Sequence, residues 1–308
     1  MGTNLLIRKP AEIQAKKTIA ALIYGQPGMG KTTLACTAPS PVLFDFDGGV
    51  TRIREEHQVP TVQVDSWETA ITALGQVSAM PEFKTIIVDT LSKMIDCIVT
   101  SICGTRPPKI QEWGLVNAKF KDFLRSVAAL NLNVVFVAQR TVEKDGDVNR
   151  YVPDVRQSNY KDVVCDMDVI GYMEMATVKG MNVRRITFDP TPRNEGKNTA
   201  QFDTYYDLPT LLPGQRSTFL ADRIGEYLER QAKRMASNKA AAEQAQAVVA
   251  EFESRMAKVD DAMSLNELCA WVRDQQAVGD TKVRFTDAVR TKAAELGVTL
   301  NKTTKLYE

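Results

Sequence analysis

The stretch Gly25-Gln26-Pro27-Gly28-Met29-Gly30-Lys31-Thr32 fits the pattern G-x-x-x-x-G-K-[ST]. It follows the apolar run Ile19-Ala20-Ala21-Leu22-Ile23-Tyr24 and precedes a helix candidate at 31–37, the strand, loop and helix context that the pattern requires. Its glycines let a backbone wrap closely around phosphates, so that N–H groups face the negative charge. In such a loop Lys31 contacts the β and γ phosphates, and the Thr32 hydroxyl is an oxygen ligand of the kind Mg²⁺ prefers. The expected nucleotide contacts are therefore Gly25, Gln26, Pro27, Gly28, Met29, Gly30, Lys31, Thr32 and Thr33, with ATP and Mg²⁺ as the ligands. The competing reading is a tight strand-to-helix turn that happens to carry a lysine.

Further apolar, β-branched runs continue outward: Val42-Leu43-Phe44-Asp45-Phe46, Thr85-Ile86-Ile87-Val88-Asp89 and Val134-Val135-Phe136-Val137-Ala138. Uninterrupted runs of this kind are expected of strands buried on both faces of a parallel sheet. Helix candidates lie between them at 67–79, 91–102 and 115–131, and this alternation predicts a doubly wound α/β domain over about 18–220. Three polar residues close these strands. Asp89 stands where a Walker B carboxylate supports the metal, although an Asp before Leu91 also suits a helix cap. Asp47, in Phe44-Asp45-Phe46-Asp47-Gly48-Gly49, ends the second strand at the ligand edge of a parallel sheet, where it can orient an attacking water; Asp-Gly-Gly is equally a turn. Gln139 follows Ala138 and can read the γ-phosphate from the same edge.

Composition removes several chemistries. The 308 residues carry 39 Lys plus Arg against 38 Asp plus Glu, a net charge of +1, which argues against coating nucleic acid by bulk electrostatics. Residues 223–308 hold 14 basic and 13 acidic side chains, so neither end is a basic domain in its own right. The five cysteines include no C-x-x-C pair, and His57 is the only histidine, so a zinc site, a disulfide framework and a Ser-His-Asp hydrolase are not signalled. No apolar run is long enough to span a bilayer, and residues 1–17 alternate charge with apolar side chains rather than forming a secretory leader. A cytoplasmic protein without membrane partners is expected.

After Gln139 the texture reads as a long polar loop, followed by strand candidates Asp168-Val169-Ile170-Gly171-Tyr172-Met173 and Arg184-Arg185-Ile186-Thr187-Phe188 at the far side of the sheet. A long helix is expected over about 217–259, its apolar stripe (Leu220, Ile224, Tyr227, Leu228) fading across 237–246. Ser264-Leu265-Asn266-Glu267 reads as a capping box, and a last helix should run from about Asp280 to Gly297. The expected division is a core at 1–222, a long helix or linker at 223–262 and a small helical appendage at 263–308.

The order of these elements resembles the RecA-like P-loop NTPases, and within them the short phage nucleotide-binding ATPases linked to single-strand annealing and recombination. The resemblance covers roughly 19–206 and rests on Ile23 to Thr33, Asp45-Phe46-Asp47, Ile86-Ile87-Val88-Asp89-Thr90, and Pro153-Asp154-Val155 leading to Asp168-Val169-Ile170-Gly171. It implies a central, mostly parallel sheet flanked by helices, with a C-terminal helical extension beyond it. In that family the second strand ends in Asp-x-Glu, whose Glu activates water. Asp47 falls there, one methylene shorter.

The resemblance also implies that Gln139 couples nucleotide state to a following DNA-binding loop, here residues 140–161. Arg140, Lys144, Arg150, Tyr151, Arg156, Tyr160 and Lys161 supply charges and rings suited to phosphates and bases, although acidic residues bring that loop to a net +1. Arg106, Lys109 and Trp113 form a second candidate patch. Lys197-Asn198 resembles the segment from which RecA-type filaments present a lysine to a neighbour's nucleotide, so Lys197, with Arg193 as understudy, is expected to act in trans. The implied activity is a DNA-stimulated ATPase that binds single-stranded DNA as a ring or filament, with a single-stranded DNA-binding protein as a further partner. An ATP-driven switch or loader acting on a protein is the alternative. A bacterial host's cytoplasm is the expected compartment if the chain is phage-derived.

Overall fold

A computed structural model describes residues 16–145, 148–275 and 280–308. Asp147 and most of the stretch read for a leader lie outside the described residues. The chain forms two compact units, Lys16–Gln231 and a second that contains Ala232–Glu308.

In the first unit, β1 (Ala20–Gly25), β2 (Pro41–Asp45), β3 (Thr61–Gln63), β4 (Thr85–Asp89), β5 (Asn133–Asp145) and β7 (Val169–Val178) lie side by side in the order β7-β1-β5-β4-β2-β3, every neighbouring pair parallel. The sheet continues antiparallel beyond β7 through β8 (Met181–Thr187) and β10 (Tyr205–Leu208), while β6 (Val148–Pro153) pairs with β5 and β9 (Lys197–Asn198) with β7. The strand-order reversal falls at β1, the position at which open α/β sheets form a crevice at their carboxyl edge.

Alternate residues of each central strand feed two separate cores. Leu22, Tyr24, Phe44, Val88 and Phe136 face α2 (Trp67–Ser78), α3 (Leu91–Cys103) and α4 (Glu112–Ala129), meeting Trp67, Met94, Phe120 and Phe123. Ile23, Leu43, Ile87 and Val137 face the other way, towards α1 (Lys31–Ala35) and the first turns of α6 (Phe219–Met256). With both faces covered, an apolar residue is wanted at every position, which is why these strands show no period of two. One polar exception is satisfied at the base of the sheet: Asn133, buried, accepts from the Ile19 N–H at 3.0 Å and donates to the Lys84 carbonyl at 3.0 Å, tying the starts of β1, β4 and β5 together.

The segment after Gln139 departs from the polar loop expected for it. β5 runs on to Asp145, turns back as β6 in an antiparallel hairpin, and leads into α5 (Gln157–Asp166). In the second unit, α6 is exposed over residues 236–247, and its end joins α7 (Ala262–Asp274) and α8 (Asp280–Leu296) around Phe252, Leu265, Leu268, Phe285 and Val289. The capping box also differs from the expected one. Asp261 is the N-cap and accepts from the Ser264 N–H at 2.7 Å, so Ser264 occupies the third helical position and the helix starts two residues before it. Gly297, at φ 69°, ends α8. Among the described residues no helix is long and apolar enough to cross a membrane.

Candidate nucleotide site

The loop between β1 and α1 is shaped by two glycines for different reasons. Gly25 packs so closely on β7 that a Cβ there would stand 2.4 Å from the Met173 carbonyl oxygen, and Gly30 holds φ 86°, a left-handed conformation that disfavours side chains. The loop opens onto a cavity of about 480 Å³ whose lining includes Lys31, Thr32, Asp47, Asp89, Gln139 and Arg184. The register explains the convergence: Gly25 pairs with Gln139 on one side, and Asp45 with Asp89 on the other.

Lys31 is buried, and its ammonium donates to the Gly25 carbonyl at 3.1 Å, the Gln26 carbonyl at 2.8 Å and Gln139 Oε1 at 2.9 Å. Burial pushes its pKa down, against the opposing pull of Asp89 and then Asp47. The Thr32 hydroxyl donates to Asp89 Oδ2 at 2.5 Å, while Asp89 Oδ1 is buried with no hydrogen-bond partner among the described residues. Burial lifts the Asp89 carboxyl to about 6. A hydroxyl and a half-satisfied carboxylate at the head of the phosphate loop are a hard-oxygen set that fits Mg²⁺.

The turn after β2 is organised by Asp45. Its carboxylate accepts the N–H groups of Asp47 at 3.3 Å, Gly49 at 3.0 Å and Val50 at 3.0 Å. The turn expected of Asp-Gly-Gly forms, and Asp45 rather than Asp47 holds it. Asp45 builds the turn, and Asp47 lines the cavity with its buried Oδ1 unpartnered among the described residues. Burial and then the negative charge of Asp45 raise the Asp47 pKa.

The other expected site residues lie elsewhere. Arg140 donates to the Tyr172 hydroxyl at 2.6 Å and sits 4.1 Å over the Tyr151 ring, which itself stacks on Tyr172. Arg150 pairs with Glu195 at 2.8 Å, and the Tyr160 hydroxyl donates to the same carboxylate at 2.8 Å. Arg156 covers the Trp113 ring, and Arg106 pairs with Glu112. Lys109, Lys144, Lys161 and Arg193 are exposed. Lys197 donates to the carbonyls of Val164 at 3.0 Å and Cys165 at 2.8 Å, beside the first half of β7 rather than its P-loop end.

Sequence reasoning did not find Arg184 or the cavity role of His57. His57 is buried and accepts the Ser217 N–H at Nε2, 3.0 Å away, pinning the segment after β10 to the 3₁₀ turn at Glu55–His57. No local signal marks this pairing, because its partners are 160 residues apart.

A mostly parallel α/β sheet with a glycine-rich loop, a buried lysine and a Thr–Asp pair at its switch point defines a P-loop ATPase. Residues 17–200 match a family profile described as an AAA domain, and the chain belongs to that family. A solved structure of a KaiC-like protein from the hyperthermophilic archaeon Pyrococcus horikoshii OT3 is similar at 11% identity and a TM-score of 0.36, covering 55% of this chain and 77% of that one. A search of curated proteins gives no match.

Proposed function

We propose that the chain binds and hydrolyses ATP with Mg²⁺ and uses the nucleotide's state to control how the β5–β6 hairpin, repeated in an oligomer, engages single-stranded DNA in phage-type recombination or annealing. The observation that carries this reading is the contact of Lys31 with Gln139 at the point where β5 leaves the sheet for the hairpin. An incoming triphosphate competes for the Lys31 ammonium. Gln139 then loses its partner and turns to the γ-phosphate, while the backbone that follows it is the hairpin itself.

Thr32 and Asp89 are the residues that would hold Mg²⁺, which when bound neutralises charge on the phosphates. Asp47 positions the attacking water and accepts its proton. A carboxylate with a raised pKa is a better base, which suits the role. Exposed Lys144 on the hairpin and Lys161 on α5 supply DNA contacts, and near-neutral charge makes avidity across an oligomer the source of affinity. Lys197 and Arg193 are the candidates for acting on a neighbour's nucleotide.

The test is ATP turnover with and without single-stranded DNA across a salt series. Stimulation that fades steeply as salt rises supports DNA as the partner. A second reading has its own observation: the hairpin exposes an apolar side chain on each face, Val142 at 51% and Val148 at 44%, which suits contact with a protein. Turnover indifferent to DNA and raised by a co-purified protein selects that reading.

A further inference from the structure

We propose that Arg184 binds the α and β phosphates of the nucleotide held by its own chain's P-loop, from the flank opposite Asp47 and Asp89. The inference rests on the ATP reading above and adds a residue to it.

The sheet order supplies the geometry. β4 and β2, which carry Asp89 and lead to Asp47, lie on one side of β1; β7 and then β8 lie on the other. Arg184 on β8 stands opposite Met175 on β7, two residues beyond the Met173 that pairs with Gly25, so it reaches past the carboxyl edge of the sheet. A methyl group on Gly30 would stand 3.9 Å from Arg184 Nε, and both residues line the same cavity.

The two consecutive arginines of β8 are used differently. Arg185 is closed by Asp207, at 2.7 and 3.0 Å, and covers the Tyr205 ring. Arg184 is exposed, and among the described residues no carboxylate pairs with it. A strand sends successive side chains to opposite faces, which separates a structural arginine from one directed at the loop.

Charge accounting gives Arg184 its task. Lys31 is the cation at the head of the loop, where Asp45, Asp47 and Asp89 already crowd the γ-phosphate side. On the other flank Arg184 is the cation that faces the glycine loop across the cavity, and the α and β phosphates are assigned to it. A guanidinium binds phosphate oxygens in a fork and stays charged throughout the accessible pH range.

The test is calorimetric binding of ADP and ATP to wild-type, Arg184→Gln, Arg184→Lys and Lys31→Ala chains, with thermal melting alongside. Arg184→Gln should weaken ADP and ATP alike by about tenfold or more while its melting temperature stays at the wild-type value, and Arg184→Lys should recover part of the loss. Equal ADP affinity in Arg184→Gln and wild type, with Lys31→Ala defective, overturns the assignment and leaves the nucleotide site standing. A wild-type chain that binds neither nucleotide overturns both. If the advantage of wild type over Arg184→Gln vanishes below the concentration of self-association, Arg184 acts on a neighbour's nucleotide and the assignment in cis falls.

Discussion

Lys31 and Gln139 are hydrogen-bonded at 2.9 Å, joining the cation of the phosphate loop to the residue at which a core strand becomes an exposed hairpin. Lys31 already donates three hydrogen bonds, so a phosphate displaces at least one of its acceptors; in the proposed mechanism that acceptor is Gln139, and the strength of the contact sets part of the threshold for nucleotide binding. Gln139→Glu replaces a neutral acceptor with a carboxylate, which strengthens the contact with the Lys31 ammonium and sets a negative charge beside the phosphates, so ATP affinity should fall by roughly tenfold or more. Gln139→Ala should bind ATP at least as well as wild type and lose the response of turnover to DNA. Titration calorimetry and a DNA-stimulation assay separate the two effects.

Asp47→Asn keeps the shape of the turn, because Asp45 builds that turn. Nucleotide binding should persist while turnover falls by about 10²- to 10⁴-fold, the scale of general-base catalysis. Lys31→Ala should lose binding and turnover together. Normal hydrolysis by Asp47→Asn would remove Asp47 from the mechanism.

Thr32→Val deletes the hydroxyl that satisfies Asp89 Oδ2. The buried carboxyl is then left without a donor, at a cost of about 1–3 kcal/mol of folding stability, and the Mg²⁺ dependence of ATP binding should weaken. Chemical denaturation of the free protein reads the first effect, and ATP titration with and without Mg²⁺ the second.

These residues differ in how far the chain announced them. The Walker A loop was legible because strand, glycines and helix are contiguous, and Asp89 because a buried parallel strand ends on it. The hairpin was not. Thr141, Val142, Glu143 and Lys144 are all exposed, whichever face they take, so the alternation that marks a half-buried strand is missing. Arg184 was hidden for another reason: its neighbour across the cavity, Gly30, is remote in sequence, and the two meet only because β8 returns beside β7. At α7, Asp261-x-x-Ser264 and Ser264-x-x-Glu267 are overlapping candidates for one cap, and the pattern alone does not choose between them.

His57 predicts a pH response. Burial first, and then the positive charge of Arg216, hold its pKa below the ordinary value, while Glu56 pulls it up and Arg54 pushes it down. The unfolded chain therefore binds the proton more readily, and the contribution to stability is present above about pH 6.5 and is lost as pH falls. His57→Gln, which keeps an acceptor for the Ser217 N–H without titrating, should lose less melting temperature than wild type between pH 7.5 and pH 5.5. Parallel melting curves across that range would remove His57 from the acid response.

β5 is a single unbroken strand from Asn133 to Asp145, with Gln139 near its middle. Sensor and arm therefore share one backbone, with no joint between them to absorb a displacement. Thermodynamic reciprocity then makes the traffic two-way: whatever factor ATP contributes to the hairpin's grip on its load, the load must return to the grip on ATP. On the function proposed above, a partner held at the hairpin is a nucleotide-affinity effector, even where it never approaches the phosphate loop.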